Sequence, residues 1–225
     1  MANQLDLEEQ EQLDQIKHFW KQYGNAITWV LIVVLGAFAS WNFYHYWQRS
    51  QAQQAAALFD ELDRAVQASD ASRMDRVFSD MKDKFAATAY AQQAGLLVAK
   101  QQMTTGKPDA AKTTLAWVAE QSSDAGYQAL ARLRLAALAT ETKNYDEALR
   151  LLNMAYPVSF DALAADRKGD VLLLQGDKTR ALAEYEKAYR LFDARTEYRR
   201  LVEVKLNALG VEIGQPAQVA AAAGK

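Results

Sequence analysis

Residues 143–148 read KNYDEA, and the phrase is echoed as GKPDAA at 106–111 and as GDKTRA at 176–181. Each copy lies between two stretches with helical spacing, and each ends on a small residue: Ala148, Ala111 and Ala181. A weaker copy, SDASRM, closes on Met74, so the four copies stand 37, 37 and 33 residues apart. Self-similarity at a period of roughly 20–50 residues marks stacked structural units, each too small to bury its apolar face alone.

Outward from these phrases the pattern deepens. A small residue lies 12 positions before the closing one, a large residue follows four later, and another small one three after that. The last copy gives Gly169, Ala181, Tyr185 and Ala188; the middle one gives Ala136, Ala148, Leu152 and Ala155; the second gives Ala99, Ala111, Leu115 and Val118. Two helices cross closely only where side chains are small, and a bulky residue then fills the space below the crossing. The first copy (Leu62, Met74, Phe78, Met81) departs at every small position, as expected of a terminal unit. The pattern resembles the tetratricopeptide repeat, a helix–turn–helix unit of about 34 residues. The expected fold is all-α: one N-terminal transmembrane helix followed by a tetratricopeptide-like α-solenoid. Near-constant spacing argues against the alternative, a generic antiparallel bundle.

Turn residues agree with this division. Gly106 and Gly176 can take the left-handed cap conformation. Asp124 and Gly126 are expected to break the chain between the second and third units, and Pro157 to end the helix before it. Residues 196–209 read as one more amphipathic helix, with Leu201, Val204 and Leu206 as candidates to cover the last unit. The Gly-, Pro- and Ala-containing stretch from Gly210 reads as a flexible tail. The expected segments are 1–23, acidic and N-terminal; 24–47, membrane-spanning; 48–210, the repeats; and 211–225, the tail. Residues 48–68 are expected to carry the membrane helix straight into the first unit, because no breaker intervenes.

Residues 26–47, AITWVLIVVLGAFASWNFYHYW, hold no Asp, Glu, Lys or Arg. A helix of that length spans about 33 Å, enough for a hydrocarbon core of about 30 Å. Trp20, Tyr23 and Trp29 stand at one end and Trp41, Phe43, Tyr44, Tyr46 and Trp47 at the other, where amphipathic rings favour the headgroup level. Ala37-Phe38-Ala39 offers a small-x-small cleavage site, but the long acidic N-terminal stretch and the apolar run beyond Ala39 argue for an uncleaved anchor. For orientation, Lys17 and Lys21 on one side balance Arg49 and Arg64 on the other; the closer pairing of the lysines favours an inside N-terminus. Gly36 and Ser40 make a small-xxx-small pair, a candidate membrane helix contact.

Composition excludes several chemistries. There is no cysteine, hence no disulfide, thiolate metal site or Cys nucleophile. The two histidines, His18 and His45, lie at the membrane edges. No Gly-rich phosphate loop and no nucleophile-elbow serine is found, so the chain reads as no enzyme, with no cofactor and no metal. Net charge is −2; residues 1–47 contribute −3 and the remainder +1, too neutral for a nucleic-acid footprint. Binding of other proteins is what remains. By the repeat register the first helix of each unit lines a groove, with Gln93, Leu96 and Lys100 from the second unit. Leu130, Leu133 and Ala137 come from the third, and Leu163, Asp166 and Asp170 from the fourth. This lining suits an extended or helical peptide bound without strong charge selection. Alternatively, some of these residues pack inside the solenoid.

The whole chain resembles the YfgM family of ancillary subunits of the bacterial SecYEG translocon. The residues that carry the resemblance are Leu7 and Leu13 in the acidic N-terminus, the approach Ile16-Lys17-His18-Phe19-Trp20-Lys21 with Tyr23-Gly24, the aromatic exit Trp41 to Trp47, and the Gln- and Ala-rich stretch Gln51 to Ala57. The resemblance implies a single-pass inner-membrane protein with a cytoplasmic N-terminus and a periplasmic repeat domain. It implies association with the SecYEG translocon and with the membrane-anchored periplasmic chaperone PpiD, and a role in handing secreted client proteins to periplasmic chaperones. A different reading is a self-associating envelope scaffold without client binding; a third places the domain in the cytoplasm as a tethered adaptor.

Overall fold

A computed structural model describes residues 7–211, and all of the regular structure among them is helical. The chain divides into two compact units, Met1–Gln53 and Gln54–Lys225. Helix α1, Leu7–Gln67, supplies the described part of the first unit and, with its last turns, the opening of the second. The remaining helices are α2 (Ala71–Phe85), α3 (Ala89–Thr104), α4 (Pro108–Gln121), α5 (Ala125–Glu141), α6 (Tyr145–Leu152), α7 (Val158–Leu174), α8 (Lys178–Leu191) and α9 (Tyr198–Ala208). The expectation for the tail falls, apart from Val211, outside the described residues.

The first unit is a helix long and apolar enough to cross a membrane. Its large apolar side chains, from Trp29 through Phe38 to Trp47, are all more than half exposed or nearly so, which suits a lipid solvent and not a protein core. Two of its hydroxyls are satisfied within the helix: Thr28 Oγ1 donates to the Gly24 carbonyl at 2.7 Å and Ser40 Oγ to that of Gly36 at 2.8 Å.

In the second unit the helices pair as the repeat phrase requires. The end of α1 pairs with α2, α3 with α4, α5 with α6, and α7 with α8; the leading helices also stack in order, α3 on α5 and α5 on α7. Each leading helix ends in the same turn. Ser69, Gly106, Lys143 and Gly176 all have positive φ, between 55° and 84°. The residue after each donates its N–H five positions back, and the left-handed residue donates three back, the hydrogen-bond pattern of a Schellman cap. The following residue then caps the trailing helix, with the Asp70, Asn144 and Asp177 side chains accepting from backbone N–H groups and Pro108 standing at the first turn of α4. Thus even the first copy, whose small positions fail, keeps the repeat's turn.

The registered residues form the packing. Leu62, Met81, Ala99, Ala111, Val118, Ala136, Ala148, Ala181, Tyr185 and Ala188 are each at most 2% exposed. Close approach is tight at Gly95, where a Cβ would sit 2.5 Å from Val118, and at Gly169, where one would sit 2.6 Å from the Tyr185 ring. Trp117 joins the first two repeats, meeting Phe78 edge-on at 5.6 Å.

Four details differ from the sequence expectations. The third unit's last small position, Ala155, is exposed, because α6 stops at Leu152 after 8 residues where α4 and α8 run 14. Pro157 accordingly lies five residues past that helix and caps α7 instead. Gly126 falls inside α5; the break is made by Asp124, whose carboxylate accepts from the N–H groups of Gly126 and Tyr127. In α9 the buried residues are Val202 and Leu206, while Leu201 and Val204 face solvent at 46% and 62% exposure.

That last difference has a geometric cause. Gly210, with φ of 88°, repeats the turn of the leading helices, donating to Asn207 while Val211 donates to Leu206. It stands 34 residues after Gly176. Helix α9 is therefore a fifth leading helix with its register set by Gly210, and it lies against α8.

Candidate partner-binding face

Counting back from the left-handed turn residue places the leading helices in one register and sorts the candidate residues into three rows. The row of Leu96, Leu133 and Asp166 is buried, at 8%, 7% and 0% exposure. Leu96 and Leu133 belong to the central core, so this row serves stacking. In the row of Gln93, Leu130 and Leu163 only Gln93 is exposed, and its amide donates to the Tyr127 hydroxyl at 2.6 Å. In the row of Lys100, Ala137 and Asp170 the first two are exposed and the third is half-buried.

The fourth unit's two carboxylates are engaged by α9. Lys205 Nζ reaches Asp166 at 2.7 Å and Asp170 at 2.6 Å. The Tyr198 hydroxyl donates to Asp166, and that of Tyr185 to Asp170. Burial pushes the Tyr198 phenol up to about 12, with the nearby Asp166 charge acting in the same sense. The Tyr185 phenol is pushed up as well, by burial and by its bond to Asp170. Where the inner units stack through leucine, the last stacks through a buried polar cluster.

Lys100 and Ala137 instead open onto a hollow of about 210 Å³ between α3 and α5, shared with Met103, Leu115, Arg134, Leu138 and Glu141. Arg134 was missed by the sequence reading. Its guanidinium is half-buried, makes one hydrogen bond, to the Leu96 carbonyl at 3.1 Å, and has no carboxylate partner among the described residues. Burial lowers its proton affinity. The fixed turn register would have found it, since Arg134 sits three residues before Ala137 on the same exposed face. A larger cleft, about 680 Å³, lies between α4 and α6 over α5, and none of the candidate residues lines it. It is flanked by the short helix α6 and by Met154.

Among the described residues no cluster of His, Asp and Glu could hold a metal ion. Gly36 has an open side, with nothing within 4 Å of where its Cβ would be.

A solenoid of paired helices preceded by a long apolar helix defines a class: membrane-tethered tetratricopeptide-like proteins. The model of the tetratricopeptide repeat-like domain family matches residues 17–211. The chain is 30% identical over 204 residues to the ancillary SecYEG translocon subunit of Neisseria gonorrhoeae, covering 90% of this chain and 98% of that one. It is similarly 30% identical over 205 residues to the protein of the same name in Haemophilus influenzae, and 27% identical over 206 residues to that of Escherichia coli, with like coverage. The chain belongs to the family of ancillary SecYEG translocon subunits.

Proposed function

We propose that this chain is a single-pass inner-membrane accessory of the SecYEG translocon, with a cytoplasmic N-terminus and a periplasmic repeat domain that binds other proteins through the exposed face of its leading helices. The observation that carries the reading is the hollow between α3 and α5, where accessible Lys100 and Ala137 meet an unpaired Arg134. The names of the relatives support the translocon as the assembly, and the apolar helix supports tethering beside it. Tethering raises the local concentration of whatever emerges from the channel. The partners are then the membrane-anchored chaperone PpiD and secreted client chains, which the protein passes on.

The test is extraction of membranes in mild detergent, purification through a C-terminal tag and mass spectrometry. Translocon subunits together with a periplasmic chaperone support the role. Recovery of the tagged protein alone, as a defined oligomer, supports a self-associating scaffold instead. Protease added from the periplasmic side should digest the repeat domain; protection would place it in the cytoplasm.

A further inference from the structure

The face that carries the hollow does not end with the fourth unit. The turn residues fix three positions on each leading helix, exposed except at Leu97, Arg134 and Asp170, which are half-buried. They are occupied by Leu97, Lys100 and Thr104 in α3, by Arg134, Ala137 and Glu141 in α5, by Arg167, Asp170 and Leu174 in α7, and by Leu201, Val204 and Ala208 in α9. The positions recur three and four apart, so they share one side of each helix. Chemistry changes along the stack. The middle carries three cations, Lys100, Arg134 and Arg167, and two carboxylates, Glu141 and Asp170, of which Asp170 lies 3.5 Å from Arg167. The C-terminal end is apolar: Leu174 is 58% exposed, Leu201 46% and Val204 62%.

Two observations say what such a face would take. The first is the missing counter-charge at Arg134. Lys168 and Lys205, half-buried like it, are paired with carboxylates at 2.6–2.7 Å, whereas Arg134, like Arg132 and Arg199, bonds no carboxylate among the described residues, and of these three only Arg134 lines the hollow. A desolvated guanidinium is shaped to hold a carboxylate in a fork of two hydrogen bonds. The second is the size of the hollow beside it. About 210 Å³ is smaller than a typical small-molecule site of about 300–1,000 Å³ and matches a single side chain. Apolar residues exposed together at the far end want apolar partners.

We infer that the stacked leading helices α5, α7 and α9 form a binding track for an extended polypeptide segment, with an acidic side chain held at Arg134 and apolar side chains laid on Leu201 and Val204. This rests on the proposed binding face and adds the chemistry and spacing of what it binds. Neighbouring helix axes lie about 8–10 Å apart, so α5 and α9 are roughly 20 Å apart across α7. An extended chain covers about 3.3 Å per residue, which places the acid about six residues from the apolar pair.

The experiment uses the full chain in lipid nanodiscs and fluorescent peptides read by anisotropy. Each peptide carries one glutamate and two leucines separated by five Ser/Gly residues, made in both chain directions. One control replaces the glutamate with glutamine and the other replaces both leucines with serine. At least one direction should bind, and each control should bind about tenfold more weakly. Arg134→Gln should remove the preference for glutamate over glutamine. Val204→Asp, at an exposed position that leaves helicity and melting unchanged, should remove the preference for leucine. Ala137→Arg tests the face itself by filling the hollow. If Ala137→Arg abolishes binding while Arg134→Gln and Val204→Asp leave both preferences intact, the face stands and this assignment falls. If no peptide binds the wild-type chain, or all three variants bind like it, the assignment falls, and in the second case the proposed face falls with it.

Discussion

At the residue scale the fold depends on a few contacts with little room for change. Gly169 lets α7 approach α8 so closely that an added methyl would lie 2.6 Å from the Tyr185 ring, which is itself 1% exposed and cannot retreat into solvent. Gly169→Ala gains helix propensity of up to about 1 kcal/mol, but overpacking of a filled core costs about 1–3 kcal/mol. The variant is expected to melt lower, and an unchanged or higher melting temperature in a calorimetric scan would count against the packing argument. The buried carboxylate of Asp166 is the other such contact. Lys205→Met would leave it desolvated without its cation, a loss of about 3–5 kcal/mol. The inner units carry Leu96 and Leu133 in that row. A triple variant, Asp166→Leu with Lys205→Met and Tyr198→Phe, is therefore expected to recover most of the loss. Urea unfolding of the single and triple variants decides this, and equal destabilisation of both would refute it.

At the element scale the unit of construction is the turn between paired helices. Lys143 holds a left-handed conformation, φ 60°, at the position filled by Gly106 and Gly176 in the neighbouring units. A non-glycine residue there costs about 1–2 kcal/mol, and glycine's added freedom in the unfolded chain returns about 0.5–1 kcal/mol of that. Lys143→Gly is expected to stabilise the chain by about 0.5–1 kcal/mol, seen as a higher urea midpoint with an unchanged slope; a lower midpoint would mean that the lysine side chain contributes something its geometry does not show. These turns also explain what could be read beforehand. Closing residues such as Ala111, Ala148 and Ala181 were legible because close helix crossings restrict side-chain size directly. The extent of α6 was not, because Ala155 satisfies the small-residue pattern equally well inside a helix or beyond its end. Of the three residues expected to cover the last unit from α9 only Leu206 does so, for a related reason. A short amphipathic helix offers two adjacent apolar stripes, Leu201 with Val204 and Val202 with Leu206, and only the turn at Gly210 selects between them. The candidate face suffered likewise: one of its rows is buried because leading helices stack on one another, a contact between units that no single unit's pattern reveals.

At the scale of the whole molecule, a stack of units is held by nearest-neighbour interfaces, so its ends can loosen independently of its middle. The C-terminal end is built on phenols that must stay protonated to donate. A tyrosine in the unfolded chain ionises near pH 10, whereas burial holds those of Tyr198 and Tyr156 up to about 12 in the folded chain. Below about pH 10 both states are protonated and the contribution to stability is complete. Between about 10 and 12 the unfolded state has released a proton that the folded state retains, so stability falls as pH rises and the contribution is gone above about 12. The loss should begin where the phenols hold the packing together: at α9, through Tyr198 on Asp166, and after α6, where the Tyr156 hydroxyl donates to the Leu151 carbonyl at 3.2 Å. Urea unfolding between pH 8 and 11.5 should show a plateau and then a decline, and tyrosinate absorbance should lag behind that of the unfolded chain. Tyr198→Phe has no phenol to titrate, so it should start less stable at pH 8 and decline less steeply. If the variant declines as steeply as the parent, the polar cluster does not hold α9 in place, and the fifth leading helix would owe its position to Val202 and Leu206 alone.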